Sequence, residues 1–178
     1  MTKTLALAFT LLVPSVADGA PKRDAKGRPW TLNVGIGPMV NLERGGALGK
    51  FGLDFQYHFK RDDTGPALGA SFYTHFRGHV FGFQLGPLFL WDFRVYRKDK
   101  VALYVAPLVG LGYSLTGYPG SYYGGTDSHY FMDFGGQFKA VFSQRIGFFI
   151  RPVNFSLLAG RGGATGFWTL LTGLTVNF

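Results

Sequence analysis

The sequence predicts an all-β protein, an eight-stranded antiparallel up-and-down transmembrane β-barrel. From Trp30 to Phe178, apolar residues alternate with small or polar ones at a period of two, as in strands with two different faces. Charged residues make up 16% of the 178 residues, against roughly 25% in soluble domains. The 27 Gly and 19 Phe suit a barrel wall. The alternating segments number eight, and an even count closes an antiparallel barrel.

The predicted strands are each close to, or longer than, the roughly 9–11 residues that a tilted membrane-spanning strand needs. In chain order they are Trp30–Asn41, Lys50–Phe59, Leu68–Arg77, Phe81–Val95, Val101–Ser114, Tyr130–Phe142, Ile146–Leu158 and Phe167–Phe178. The alternation of the seventh strand slips near Pro152, which predicts a β-bulge there.

The composition of the two strand faces favours a membrane barrel over a soluble one. In the second strand, Phe51, Leu53 and Phe55 share one face, whereas Lys50 and Asp54 lie on the other. A soluble barrel would turn its apolar face inward and would need an outer face rich in Lys, Glu and Thr. Here the second face consists of Gly, Ala and Ser with isolated charges, which suits a narrow lumen. The apolar face is therefore predicted to contact lipid.

The start of the chain has the pattern of a cleaved secretory signal peptide, predicted over residues 1–20. The apolar stretch Leu5–Val13 is about half of the roughly 20 residues that a membrane-spanning helix needs. Small residues allow cleavage after Ala17 or after Ala20, and both sites stay open. The remaining predicted units are a short periplasmic segment over residues 21–29 and the barrel over residues 30–178.

The connections between the predicted strands set the orientation of the barrel. Short polar turns are assigned to the periplasmic side, at Arg61–Pro66, Arg97–Lys100 and Ser143–Arg145. Short connections are also predicted on the outer side, at Glu43–Gly46, Arg77–His79 and Gly160–Gly166. Only Thr116–His129 is long, and such barrels keep their larger loops outside. We therefore expect this loop to be the contact surface for an extracellular ligand or protein.

The last predicted strand carries the most specific motif of the chain. One face of it consists of Trp168, Leu170, Thr172, Leu174, Val176 and the final residue Phe178. This pattern resembles the C-terminal assembly signal of bacterial outer-membrane barrels, which Leu170, Leu174, Val176 and Phe178 would provide here. Over residues 30–178 the chain resembles the small eight-stranded barrels of the OmpA, OmpX and OmpW type.

This resemblance implies a location in the outer membrane of a Gram-negative cell envelope, reached by export with the signal peptide. It implies contact with outer-membrane lipids including lipopolysaccharide, and recognition of the last strand by the outer-membrane assembly machinery. Binding of nucleic acid is not expected, because the 18 Lys and Arg residues do not collect on one face. The lack of Cys excludes disulfides and thiolate metal sites.

The inward-facing polar residues are predicted to form a network that fills the lumen, because buried charges need partners. The set is Lys50, Asp54, Gln56, His58, His75, Asp92, Arg94, Asp133, Lys139 and Arg151. Asp54, Asp92 and Asp133 are suited to pair with the basic members. A narrow pore that favours anions is an alternative, because basic groups are in excess. His58 and His75 lie on neighbouring predicted strands and could approach each other, but no third ligand completes a metal site.

Asp127, Ser128 and His129 contain the three residue types of an acyl-transfer relay. Outer-membrane lipid A deacylases are similar barrels that use a His-x-Ser element and a carboxylate, and this sequence contains no His-x-Ser. The three residues are consecutive in a Gly-rich segment, so that neighbouring side chains point apart and cannot form a relay. No catalytic set and no cofactor are therefore predicted.

Two neighbouring predicted strands are interrupted at Pro87 and Pro107, where each proline removes a ladder donor that lipid cannot replace. Leu88 and Leu90 add an inward apolar patch beside this seam. The arrangement resembles lipid A palmitoyltransferases, which flank their lipid access routes with strand prolines. We predict a non-enzymatic barrel of structural or surface-interaction type. The first alternative is a lipid-handling barrel that binds or modifies lipid A or an acyl chain, and the second is the narrow anion-permissive pore.

Overall fold

A computed structural model of the protein describes residues 28–60, 64–117, 125–160 and 163–178. No helix in this part of the chain is long and apolar enough to cross a membrane. The strands are β1 (Trp30–Asn41), β2 (Ala47–His58), β3 (Gly65–Arg77), β4 (Val80–Lys98), β5 (Val101–Gly117), β6 (Thr126–Phe142), β7 (Ile146–Gly160), β8 (Gly163–Thr169) and β9 (Leu171–Asn177). The predicted signal peptide over residues 1–20 and most of the predicted 21–29 segment lie outside the described residues.

The strands close into a ring. Successive strands pair antiparallel, and β1 pairs with β2 on one side and with β8 and β9 on the other. Since β8 and β9 are two halves of one crossing, the ring contains eight strands. Where the ring closes, Trp30 N donates to Phe178 O at 3.1 Å and Phe178 N donates to Trp30 O at 2.9 Å. The predicted eight-stranded antiparallel barrel is confirmed.

The alternation of each strand divides its side chains between the outside and the lumen. On β4, the outward Phe83, Phe89 and Phe93 are 37%, 43% and 51% exposed, whereas the intervening Gln84 and Leu90 are buried. The outward side chains of the other strands are likewise mostly aromatic or aliphatic and exposed. They form an apolar belt around the barrel, which matches the predicted lipid-facing surface.

The predicted bulge in β7 is present. Inward-facing residues run through Phe149 and Arg151 and then resume at Asn154, so the alternation shifts by one residue around Pro152. The pairing of β7 with β6 shifts at the same place, between Gly136 and Phe138 of β6. The bulge lets residues on both sides of the proline keep their polar groups in the lumen.

A second proline explains why the last crossing is divided into β8 and β9. Met39 pairs with Thr169 and Ile36 pairs with Thr172, so that Pro38 lies opposite Leu170. Leu170 N donates to Pro38 O at 3.1 Å, but the proline has no N–H to return. The ladder is therefore interrupted at this position while the register continues.

Two of the predicted connections at the extracellular end, Thr116–His129 and Gly160–Gly166, are too long, whereas Glu43–Gly46 and Arg77–His79 agree with the strand ends. β5 continues to Gly117 and β6 begins at Thr126, with Thr116 paired to Asp127. The predicted loop Thr116–His129 is therefore too long, because the antiparallel pairing continues to Gly117 and Thr126. The last crossing likewise begins at Gly163, paired with Gly160, and not at Phe167.

Candidate functional site

Three inward residues of β2 mark three levels of the lumen. Lys50, Asp54 and His58 follow each other at intervals of four residues, and each is no more than 1% exposed. Four residues of a strand span about 13 Å at roughly 3.3 Å per residue. Each of the three contacts a charged side chain from another part of the wall. We call the resulting groups of contacts the extracellular, central and periplasmic layers, with the β5–β6 hairpin at the extracellular end.

The central layer is built around Arg151 on β7. Its Nη2 pairs with Asp54 Oδ2 on β2, and its Nη1 donates to the hydroxyl of Tyr73 on β3 at 3.0 Å. Its Nε donates to Gln137 Oε1 on β6 at 2.8 Å, and the Tyr73 hydroxyl donates to Asp54 Oδ1 at 2.9 Å. Strands β3 and β7 are four positions apart in the eight-membered ring. The central layer therefore crosses the full width of the lumen.

The periplasmic layer is centred on Asp92 of β4. Its Oδ2 accepts a hydrogen bond from Lys139 Nζ on β6 at 2.9 Å and lies 2.8 Å from His58 Nε2 on β2. The Lys139 ammonium also lies 5.0 Å from the centre of the Tyr104 ring. Since β2 and β6 are opposite each other in the ring, this layer also spans the lumen.

The extracellular layer joins Lys50 on β2 to Asp133 on β6. The Lys50 ammonium lies 3.8 Å from Asp133 Oδ2 and 4.2 Å from the centre of the Tyr73 ring. The first distance is that of an ion pair without a direct hydrogen bond. Three layers of opposite charges thus succeed one another along the barrel.

An apolar cluster fills the lumen beside β4 and β5. Its members are less than 4% exposed and are Ala67, Leu88, Leu90, Ala106 and Leu108. They include the inward leucines predicted from the sequence. Their packing closes the interior behind the strands that carry Pro87 and Pro107.

The β4–β5 ladder has two gaps and, further along, a register shift between Arg94 and Tyr96. The pair Leu85–Tyr113 is followed by Leu88–Gly110, and Leu90–Leu108 is followed by Phe93–Val105. Pro87 and Pro107 lie in these two gaps and face outward. The backbones nevertheless stay in contact, because a Cβ added at Gly86 would lie 1.8 Å from the carbonyl oxygen of Leu111.

The structure buries nine of the ten side chains predicted for the lumen network, and the tenth, Arg94, is half-buried on β4. His58 and His75 do not approach each other. His58 on β2 pairs with Ala67 on β3. His75 lies eight residues after Ala67 on β3 and pairs with Lys50. Eight residues correspond to about 26 Å along the strand. No group of three His, Cys, Asp or Glu residues suited to a metal ion occurs among the described residues.

Sequence reasoning missed a cavity of about 270 Å³ at the extracellular mouth. Its wall comes from strands all around the ring and consists of Met39, Asn41, Arg44, Leu48, His75, Val80, Thr116, His129, Leu158, Gly163, Thr165 and Phe167. The alternation of apolar and polar residues could have shown which of these side chains point inward. It does not show at what height along the barrel each of them lies. We call this cavity the outer pocket.

A closed ring of strands, an apolar belt and a charged, filled lumen define an integral β-barrel membrane protein. Its fold is that of small eight-stranded bacterial outer-membrane barrels, and with the belt this fold assigns the protein to the outer membrane. A scan of protein-family models gave no match, and neither did a search of curated proteins.

Among solved structures, the chain is similar to the N-terminal β-barrel domain of OprF from Pseudomonas aeruginosa, with a TM-score of 0.61 and 16% identity over 85% of this chain and 99% of that one. It is also similar to Neisserial surface protein A, with a TM-score of 0.60 and 8% identity over 84% of this chain and 97% of that one. The outer-membrane enzyme PagL matches with a TM-score of 0.49 and 12% identity, over 83% of this chain and 99% of that one.

Proposed function

We propose that this protein is a closed outer-membrane barrel of structural or surface-interaction type, and not a pore. The observation that carries the proposal is the set of three charged layers that cross the lumen. Arg151 reaches Tyr73 on the opposite wall, and Lys50 lies against Asp133 on another opposite pair of strands. An eight-stranded barrel is only just wide enough for its interior side chains. A solute would have to break these contacts in order to pass.

The energetics of the layers also support a closed state. Removing one partner of a buried ion pair costs about 3–5 kcal/mol, because the other charge stays buried and uncompensated. Separating Arg151 from Asp54 to admit an ion would carry a comparable cost at the central layer alone. The apolar cluster around Leu88 and Leu90 adds tight packing beside these charges.

The surface-interaction role is supported by the long β5–β6 hairpin. Both strands have 17 residues, whereas crossing the membrane takes roughly 9–11. Tyr130 is 74% exposed on this hairpin and its ring packs against that of Tyr113 at 5.9 Å. Exposed aromatic residues on a rigid extended ladder suit contact with a partner or with neighbouring lipopolysaccharide.

Liposome permeability tests the closed barrel. We expect liposomes containing the refolded protein to retain chloride and small sugars as long as protein-free liposomes do, with a general porin as the positive control. A difference in gel mobility between boiled and unboiled samples of the same preparation establishes that the protein is folded. Release at a rate that rises with the amount of folded protein would contradict the proposal.

A lipid-handling function is the second candidate, and the two gaps at Pro87 and Pro107 are the observation in its favour. The packed leucines behind the seam and the contact of Gly86 with Leu111 argue for a closed wall instead. Mass spectrometry of lipid A from cells with and without the protein separates the two functions. We expect identical lipid A profiles, and a new or missing acyl chain would favour the lipid-handling candidate.

A further inference from the structure

We propose that the outer pocket is a binding site for a small carboxylate with an apolar body, such as an aromatic or short acyl acid. This binding site goes beyond the proposed function of a closed barrel. It rests on that function in one respect, because the side chains that fill the lumen close the inner end of the pocket. Three properties of the cavity support this assignment: its shape, its unpartnered buried nitrogens and the sign of its charges.

The shape of the pocket fits a compact apolar group. Met39 and Leu158 on its wall belong to a buried cluster with Phe131, against which Leu48 and Phe167 pack. An apolar cavity of about 150 Å³ holds one benzene molecule. The outer pocket has about 270 Å³, so it accommodates a one- or two-ring aromatic body or a short acyl chain.

Two histidines give the pocket a built polar wall. His75 is 3% exposed and its Nε2 lies 3.1 Å from Thr116 Oγ1, while its Nδ1 has no hydrogen-bond partner among the described residues. The buried Nδ1 of His129 is also unpartnered within that part of the chain. Both side chains line the cavity. Other buried polar atoms of the lumen also lack a partner within the described residues, but these two belong to side chains that line the cavity, where a polar ligand atom would complete their hydrogen bonds.

Two glycines create the space that the imidazoles occupy. A Cβ at Gly82, which pairs with His75, would lie 2.3 Å from His75 Nε2. A Cβ at Gly160, which pairs with His129, would lie 2.5 Å from His129 Cδ2. Any larger residue at either position would displace the ring. The two rings are therefore held against the wall by the local sequence.

The charges around the pocket select an anion. Arg44 lies on its wall, and among the described residues no Asp or Glu lines it. Asn41 Oδ1 accepts hydrogen bonds from the backbone N–H groups of Glu43 and Arg44 at 2.9 and 2.8 Å, which fixes the turn that carries Arg44. Lys50, the cross-strand partner of His75, is already paired with Asp133 in the extracellular layer, so the positive charge on the pocket wall is that of Arg44. A carboxylate matches a guanidinium together with imidazole N–H donors.

Calorimetric titration with 2-naphthoate tests the proposal. 2-Naphthoate is titrated into the folded protein in nonionic micelles, and a titration into the same micelles without protein is the blank. 2-Naphthylmethylamine and 2-naphthalenemethanol serve as the cationic and neutral analogues. We expect one site for naphthoate with a dissociation constant of about a millimolar or tighter, and at least about tenfold weaker binding of the amine. No binding above the micelle blank, or equal binding of acid and amine, would overturn the proposal.

Four variants locate the site, each checked for folding by heat-modified gel mobility. Thr165→Phe fills the pocket and is expected to abolish binding, whereas Ala164→Phe adds the same ring to the next residue, outside the pocket, and should leave the affinity unchanged. Arg44→Ala and His75→Phe are expected to weaken naphthoate binding by about tenfold or more, the effect of losing a hydrogen bond to a charge. Binding that survives Thr165→Phe would place the ligand elsewhere. The liposome permeability test does not depend on where naphthoate binds, so the binding site and the closed barrel can be contradicted separately.

Discussion

Arg151 is the side chain on which the interior depends most at the scale of single residues. Its guanidinium uses all three of its nitrogens, on Asp54, Tyr73 and Gln137. It also lies 5.2 Å from the centre of the Phe149 ring. A charge buried this deeply is tolerated only with a hydrogen-bonded counter-charge. The pair with Asp54 therefore decides the stability of the barrel more than any surface ion pair does.

Asp54→Asn is expected to lower the free energy of unfolding by about 3–5 kcal/mol, because it leaves the guanidinium buried without a counter-charge. Urea unfolding of the refolded protein in lipid vesicles measures the change. Glu43→Gln makes the same chemical change in an exposed turn and should stay within about 0.5 kcal/mol of the wild type. A loss below about 1 kcal/mol for Asp54→Asn would contradict the importance of this pair.

The double variant Asp54→Leu/Arg151→Met is expected to be more stable than Asp54→Leu alone, because removing both charges abolishes the uncompensated one. The same urea titration gives the coupling between the two residues from the two single variants and the double variant. Additive losses would show that the pair contributes nothing beyond its separate side chains.

The pairing itself could not be read from the sequence. Alternation alone predicts that Asp54 and Arg151 both face inward. It leaves open whether Asp54 meets Arg151, Lys50 or Lys139, since that depends on how far each strand is displaced around the ring. The sequence also does not show the heights of residues along the barrel, which is why it left open an approach of His58 to His75 and did not reveal the outer pocket.

The β4–β5 pair shows at the scale of elements how a strand can lose hydrogen bonds and stay closed. The two prolines interrupt its ladder, and Gly86 and Gly112 let the backbones approach between them. A Cβ on Gly112 would lie 2.2 Å from the carbonyl oxygen of Leu85. Close contact of the main chains keeps the gap that contains Pro87 closed.

Gly86→Ala is expected to destabilise the barrel by about 1–3 kcal/mol, because the new methyl group would overlap a backbone oxygen that cannot move away cheaply. Gly136→Ala is the matched control, since a Cβ at that strand position meets nothing within 4 Å. Urea midpoints of the two variants provide the comparison. Equal midpoints would show that β4 and β5 are more widely separated than the structure has them.

Strand identity was predictable and strand ends were not. The bulge at Pro152 was visible because the alternation of β7 changes phase on either side of it. The extension of β5 and β6 past Ser114 and Tyr130 was not, because Thr, Asp, Ser and Gly are typical of loops as well as of exposed ladders. The assembly role of Leu170, Leu174, Val176 and Phe178 stays a prediction.

The whole molecule combines a lipid-facing belt with a lumen that side chains close at three levels. The belt and the even ring of strands make it an outer-membrane barrel. Under the proposed function, the three charged layers that contain Lys50, Asp54 and His58 close the lumen of this barrel. The outer pocket and the β5–β6 hairpin are then the surfaces that it presents to the exterior.

Single-channel recording in planar bilayers tests the closed lumen most directly. The wild-type protein is compared with a variant in which the Asp and the Lys or Arg of each layer become serine, at Lys50, Asp133, Asp54, Arg151, Asp92 and Lys139, so that no carboxylate, ammonium or guanidinium of the layers loses its partner alone. We expect no stable channels from the wild type and small, steady channels from the variant, provided that both run as folded species on unboiled gels. Steady channels from the wild-type protein, with the same conductance as the variant, would contradict the account.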